Sequence, residues 1–417
     1  MKELIDRKTL DDILIQLKKD NISLYLAAFT DEKKREELKE YLLDKHKLLM
    51  SREGYLDYAI QELVGLGFIE SLMKDEDITD ISYNATHLVV ESNTKGKYKY
   101  PFDKEKDPYF IDKVIQKFAS ASGGELTPNK ASLNATLQKL RLNAIHQHNS
   151  PYGATMSLRA TRARLALNDD NFHEFAPLEM QEFFEAIVKM RCNIFIAGET
   201  GTGKTELQKY LMSHIPFEER ILLIEEVQDN YAKELFPEKD IFSWITNNNM
   251  TITQLIKAGL RNHPVWMIIA ETLGEEAYEI MNAILTGHKL ITTLHAVDAR
   301  AIPKRMLKMA KVGPFNVDDD SFIEDFYRYV QLGVHIKKRK INGIVQRYLS
   351  EVVEYHSDGT ATTIFKQTET ETDELRTDYG KISSELMHRM IEFRASLPEI
   401  FLPEEVKSQV LVGVGDS

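Results

Sequence analysis

The sequence predicts an α/β protein: a doubly wound, largely parallel sheet, preceded by a smaller α+β domain and an N-terminal helical segment. Three observations predict it. Short apolar runs at 194–197, 221–224, 265–269 and 290–294 alternate with helical segments, the pattern of strands covered on both faces by crossover helices. The first run leads into a glycine-rich loop and then a segment with helical spacing, Leu207, Tyr210 and Leu211 sharing one face. Upstream, 78–83, 87–92 and 97–100 are strand-like, with Asn93-Thr94-Lys95-Gly96 as a hairpin turn.

Residues 1–54 form a helical segment, with Leu10, Ile13, Leu14 and Leu17 on one stripe and Thr9 with Asp12 resembling a capping box. A second, highly charged helix follows Thr30-Asp31-Glu32. The α+β domain spans 55–165. It opens with an amphipathic helix over 55–73 and places its three strands next. A helix capped at Asp107-Pro108 bears Ile111, Val114, Ile115 and Phe118, and two further strands lie around 135–144 and 154–160. A linker over 166–176 contains the polar stretch Asn168-Asp169-Asp170-Asn171. The doubly wound domain occupies 177–417. It ends with a hairpin turning at Asn342-Gly343, a turn at Asp358-Gly359 and a helix carrying Leu386, Met387, Met390 and Ile391.

A chain of 417 residues exceeds one ordinary core, so two or three domains are expected. No stretch approaches the ~20 apolar residues of a membrane span, and the charged start Met1-Lys2-Glu3-Leu4-Ile5-Asp6 has no secretory apolar region. A cytoplasmic protein is expected. The single cysteine, Cys192, excludes an intrachain disulfide and a multi-cysteine zinc site, and reads as a buried small apolar residue. A net charge of −12 argues against non-specific nucleic-acid binding by the surface as a whole, leaving room for a local basic patch.

The loop reads Gly198-Glu199-Thr200-Gly201-Thr202-Gly203-Lys204-Thr205. Its glycines let successive backbone N–H groups converge on a phosphate, and the following helix adds its positive dipole end. In such a loop Lys204 reaches the β- and γ-phosphates of a nucleotide and the Thr205 hydroxyl holds Mg²⁺. Three sets of groups are expected at the strand ends beside a γ-phosphate: Glu225-Glu226, Glu271, and His288 with His295, which bracket one strand. Glu271 is the candidate to orient or deprotonate an attacking water, or else a structural ion-pair partner. The two histidines read as core or cap residues singly, and as a γ-phosphate sensor together. Arg159, Arg162 and Arg164 lie just before the polar linker, either as a solvated strand end or facing a nucleotide held by the next domain.

The order of these motifs resembles the secretion ATPase superfamily of type II and type IV secretion, type IV pili and Tad-type pili. Leu260-Arg261-Asn262-His263-Pro264, then Ala270-Glu271-Thr272-Leu273-Gly274-Glu275-Glu276-Ala277, are similar to its Walker B region. Thr286-Gly287-His288 and Thr293-Leu294-His295-Ala296 are similar to its histidine motifs, and Ile224-Glu225-Glu226-Val227-Gln228-Asp229 to its acidic box. Leu140-Arg141-Leu142-Asn143-Ala144 and Thr155-Met156-Ser157-Leu158-Arg159 resemble segments of the type IV secretion and Tad branch, in which arginines at such places contact nucleotide. Val265, Ala270, Leu273 and Leu290 depart from the pattern, Leu273 replacing an arginine.

The resemblance implies a RecA-like P-loop NTPase domain and an ATP-hydrolysing, Mg²⁺-dependent motor. It implies a homo-oligomer, a hexamer, that powers a secretion, conjugation or pilus-assembly machine. The motor would sit at the cytoplasmic face of the membrane with inner-membrane components as partners, gripping nucleotide between its two domains. Two rivals stand beside it. A nucleic-acid motor of helicase or packaging type would need a basic, aromatic-lined channel. A regulatory subunit that binds ATP with little turnover is suggested by Leu273 and Ala270.

Overall fold

In the N-terminal part, leucines and isoleucines at helical spacing make amphipathic helices that can be buried only against one another. The computed structural model describes residues 4–29, 31–102, 105, 108–137, 140–247, 249–341 and 344–404. The chain divides into two units, Met1–Arg162 and Ala163–Ser417.

The first unit begins with α1 (Arg7–Ala27), α2 (Glu32–Lys45), α3 (Lys47–Met50) and α4 (Tyr55–Leu63). Ile13, Leu17, Leu38, Leu42, Ala59 and Ile60 share one core. The cap of α1 is Asp6, whose carboxylate accepts from the Thr9 N–H, so the expected box at Thr9 and Asp12 is replaced by a cap three residues earlier. The single helix expected over 55–73 is two, α4 and α5 (Phe68–Lys74), because Gly67 adopts φ 56° between them. Since α4 packs with the preceding helices, the boundary expected at 54/55 falls inside a shared core.

The strands are β1 (Ile78–Tyr83), β2 (Leu88–Ser92) and β3 (Gly96–Tyr100); after α6 (Phe110–Ser122) come β4 (Ser132–Leu137), β5 (Leu140–Ile145) and β6 (Thr155–Ala160). They form one antiparallel sheet in the order β3-β2-β1-β6-β5-β4. The strand expected around 135–144 is thus a pair of strands. One face buries Ile81, Leu142 and Leu158 against Val114, Ile115 and Phe118 of α6. Of the cap expected at Asp107-Pro108, Asp107 lies outside the described residues.

The second unit contains α7 (Leu178–Lys189), β7 (Ile194–Gly198), α8 (Lys204–Ser213), β8 (Ile221–Glu225), α9 (Ala232–Leu235), β9 (Ile241–Ile245) and α10 (Ile252–Gly259). It continues with β10 (Trp266–Thr272), α11 (Glu276–Leu285), β11 (Lys289–Leu294), α12 (Ile302–Ala310) and α13 (Asp319–Tyr329). It closes with β12 (Leu332–Ile341), β13 (Ile344–Tyr355), β14 (Ala361–Glu369), β15 (Leu375–Tyr379) and α14 (Ser384–Glu392). The nine-stranded sheet runs β15-β14-β13-β12-β7-β11-β10-β8-β9. Strands β7 to β12 are parallel and β12 to β15 antiparallel, the RecA-like arrangement.

Both faces are covered. Ile194 and Ile196 of β7 join a core with Leu207 and Leu211 of α8, while Phe195 and Ala197 join another with Ile280 and Ile284 of α11. Strand β9, at a sheet edge, was not expected, because Ser243 breaks the apolar run that marks its neighbours. Residues 166–176, expected as a linker, are folded into this unit: Phe172 is fully buried and packs edge-on against Phe175 and Phe184. The turn expected at Asn342-Gly343 lies outside the described residues, although Ile341 and Ile344 pair directly. The turn at Asp358-Gly359 is present, with Gly359 at φ 84°.

Candidate functional site

Strand β7 lies between β12 and β11 and away from β8, the next strand in sequence. Its carboxyl end is therefore a switch point, where loops diverge and leave a crevice for a ligand. The glycine-rich loop fills that position. Gly198, Gly201 and Gly203 have φ of 156°, 77° and 97°. A Cβ on Gly198 would lie 2.6 Å from the Ile336 carbonyl oxygen and 2.7 Å from Thr202 Oγ1. Only a residue without a side chain fits there.

Lys204 starts α8 and folds back over the loop. Its Nζ donates to the carbonyl oxygens of Gly198 (2.9 Å) and Glu199 (3.1 Å). The residue is 9% exposed, and burial pushes its ammonium pKa down, Glu271 opposing that in part. A desolvated cation held by two neutral carbonyls gains most from an anionic ligand. Thr202 Oγ1 donates to the Glu199 carbonyl, bracing the loop from within. Thr205 follows Lys204 on the first turn of α8, half-buried. With the helix N-terminus behind them, these groups fit a phosphate chain. No cluster of three or more His, Cys, Asp or Glu side chains among the described residues could hold a metal alone. A cation here would rest on Thr205 and on ligand oxygens, as Mg²⁺ with a nucleotide does.

Glu271 and His295 meet beside the loop. His295 follows β11, and its Nδ1 lies 3.0 Å from the Gly198 carbonyl oxygen while its Nε2 lies 2.9 Å from Glu271 Oε1. Both ring nitrogens face acceptors, so this arrangement needs hydrogen on both, or a proton on Glu271. Thr293 Oγ1 donates to the Ala270 carbonyl oxygen at 2.7 Å and so fixes the strand end that carries Glu271.

The other expected residues separate. Glu225 is 1% exposed; its Oε1 accepts from the N–H groups of Asp229 and Asn230 and from Asn230 Nδ2, and burial raises its pKa above the usual carboxylate value. Glu225 thus closes its own loop. Glu226, just past the end of β8, lines an exposed hollow with Thr246, Thr251, Glu275 and Glu276. His288 does not join His295. It precedes β11 at the opposite end, paired with Thr286 Oγ1, and the six residues of the strand lie between the two histidines, seven extended steps or roughly 23 Å. The expectation that both face one γ-phosphate is corrected: bracketing a strand puts two residues at its two ends.

In the first unit Arg141, Arg159 and Asp80 form a row across β5, β6 and β1. Arg159 Nε donates to Asp80 Oδ1 at 2.8 Å, and Arg141 is exposed beside it. Arg162 is committed elsewhere: its guanidinium donates to the carbonyl oxygens of Met73, Asp75, Glu76 and Ile78, tying the end of α5 to β1. No spacing rule reveals such a bond.

Two supporting residues had no sequence signal. Gln208, fully buried on α8, donates through Nε2 to the Ile269 carbonyl oxygen, and Asn193 bridges Leu290 and Tyr329 across the sheet.

A family model for type II/IV secretion system proteins matches residues 123–412. The chain belongs to this family. Among type II/IV secretion system relatives, the type IV secretion system protein VirB11 of Brucella suis is 32% identical over 139 residues, 31% of this chain and 38% of that protein. An uncharacterized protein of Bacillus anthracis is 40% identical over 373 residues, 84% of this chain and 83% of its own length. Among solved structures, the Brucella suis VirB11 ATPase in complex with sulphate aligns over 68% of this chain and 94% of its own, with 22% identity and a TM-score of 0.38. The Legionella pneumophila ATPase DotB aligns over 83% and 96%, with 13% identity and a TM-score of 0.46. These superpositions are loose and the family assignment does not rest on them. As in the secretion family's sequence pattern, the loop, Glu271 and His295 are present, with Leu273 at 46% exposure where an arginine is usual.

Proposed function

We propose that this member of the secretion family is an ATP-hydrolysing, Mg²⁺-dependent motor acting as a homo-oligomer, a hexamer, at the cytoplasmic face of a membrane. Its machine is a secretion, conjugation or pilus-assembly apparatus. One observation carries the reading: Gly198 is the point where the loop, the buried Lys204 ammonium and the Glu271–His295 pair converge.

In this proposal the loop N–H groups and Lys204 bind the β- and γ-phosphates, and the Thr205 hydroxyl holds Mg²⁺. The metal neutralises charge that develops on the phosphates. Glu271 orients the attacking water with the carboxylate oxygen that His295 leaves free, and His295 reports on the γ-phosphate through its link to Gly198. Arg141 and Arg159 are the arginines for which the resemblance to the type IV secretion and Tad branch implies a nucleotide contact. Inner-membrane components of that machine would be its partners; among the described residues no helix is long and apolar enough to cross a membrane.

The test is phosphate release by the purified full chain with ATP and Mg²⁺, wild type against Glu271→Gln. The expected result is turnover in the wild type and none in the variant, with nucleotide still bound by both. A wild type that binds ATP without releasing phosphate would favour the regulatory reading that Leu273 and Ala270 suggest.

A further inference from the structure

The basic run Lys337-Lys338-Arg339-Lys340 lies on β12, in a protein of net charge −12. Strand β12 pairs in parallel with β7 only as far as Ile336, which sits opposite Gly198. There β7 turns into the loop while β12 continues with β13, so the last residues of β12 overhang the loop. One cation of this run and one from β13 reach it. Lys338 Nζ donates to the Thr200 carbonyl oxygen at 2.7 Å, and Arg347 Nε donates to the Gly201 carbonyl oxygen at 2.9 Å. A Cβ on Gly201 would lie 3.3 Å from Lys338 Nζ, and one on Gly203 would lie 3.5 Å from Arg347 Cδ.

Lys338 and Arg347 are directly opposite each other in the β12–β13 register. Like charges in that relation repel, so the pair needs acceptors, and the loop carbonyls provide them. Lys337, Arg339 and Lys340 on the same strand add positive charge and do not relieve it.

We propose that Lys338 and Arg347 are positioning residues of the phosphate site. The inference rests on the nucleotide reading above and adds a mechanism to it. A trans peptide is planar, and its C=O and N–H point to opposite sides. Fixing the Thr200 carbonyl on the hairpin side therefore turns the Gly201 N–H the other way, into the loop. Fixing the Gly201 carbonyl does the same for the Thr202 N–H. In the free loop that last N–H makes only a long bond, 3.4 Å, to the Glu199 carbonyl oxygen, which a phosphate oxygen can displace. A cation on each carbonyl also polarises its peptide and strengthens the N–H as a donor. The hairpin thus acts through the loop backbone, without touching the ligand.

The role predicts which ligands are affected. Gly201 and Thr202 N–H groups serve phosphates common to ADP and ATP, so both nucleotides lose affinity alike. Labelled ADP and a non-hydrolysable ATP analogue are titrated against the full chain carrying Lys338→Gln, Arg347→Gln, both, Lys338→Arg or Arg347→Lys. The expected result is roughly 3- to 10-fold weaker binding for each Gln substitution. The loss should be equal for the two nucleotides, the Arg and Lys exchanges should restore affinity, and melting without nucleotide should stay within about 2 °C of wild type. Unchanged affinities in the Gln variants overturn the inference. So does a loss confined to the ATP analogue, which would mean direct contact with the γ-phosphate. A fall in melting that accounts for the lost affinity overturns it as well. Wild-type protein that binds neither nucleotide overturns the nucleotide reading and this inference with it.

Discussion

Replacing Lys204 with Ala should separate ligand binding from folding. The ammonium is 9% exposed and bonds only uncharged oxygens, those of Gly198 and Glu199. Opposite unit charges 4 Å apart interact by about 4 kcal/mol at an effective dielectric of ~20, and a charge-assisted hydrogen bond is worth about 1.5–3 kcal/mol. These describe one contact and do not add. A loss of about 3–4 kcal/mol in nucleotide binding follows, roughly 10²- to 10³-fold in Kd. Stability should respond differently. Burial lowers the Lys204 pKa, so the charged form costs the folded state stability at neutral pH. That cost disappears as pH rises through the lowered value. Alanine removes it together with two hydrogen bonds, although the Glu199 carbonyl keeps Thr202 Oγ1 and the Gly198 carbonyl keeps His295 Nδ1. The two effects oppose, and the net change in unfolding free energy should be within about 1 kcal/mol. Titration with labelled ADP and thermal unfolding of the nucleotide-free protein measure the two quantities. Affinity within threefold of wild type would refute the placement of the phosphates. A large loss of stability would refute the account of a desolvated cation awaiting an anion.

The remaining expectations concern the frame around the loop. Asn193→Ala should destabilise by about 2–4 kcal/mol in urea unfolding, because Leu290 loses the acceptor of its buried N–H and Tyr329 loses a donor. Glu225→Gln should raise stability at neutral pH relative to wild type. Burial raises the Glu225 pKa in the folded state, so its favourable contribution is complete below the usual carboxylate value and is lost as pH rises through the raised one; Gln removes that loss, and pH-dependent melting of both proteins checks it. Cys192 is fully buried and its thiol is pushed up to about 12, so a thiol reagent at pH 8 should label the chain only after denaturant is added.

The sequence by itself determined the local chemistry. Glycines at three positions with positive φ, a lysine at the start of a helix and an apolar strand before them are statements about neighbouring residues. Gly198 to Thr205 were legible for that reason. So were α6 and the β2–β3 hairpin, whose periods and turn residues lie within single segments. Only the tertiary structure decided which distant groups share a place. The register of β11 against β7 brings His295 to Gly198 and leaves His288 at the far end of the same strand. The lengths of β12 and β7 differ past Gly198, and that difference sets Lys338 and Arg347 over the loop. Arg162 looked like a free cation along the chain, and four carbonyl oxygens from α5 and β1 occupy it in the fold. The physical reason is common to all three. Propensity and spacing act over a few residues, whereas hydrogen-bond partners across a sheet are fixed by strand order and register, which depend on the packing of the whole unit.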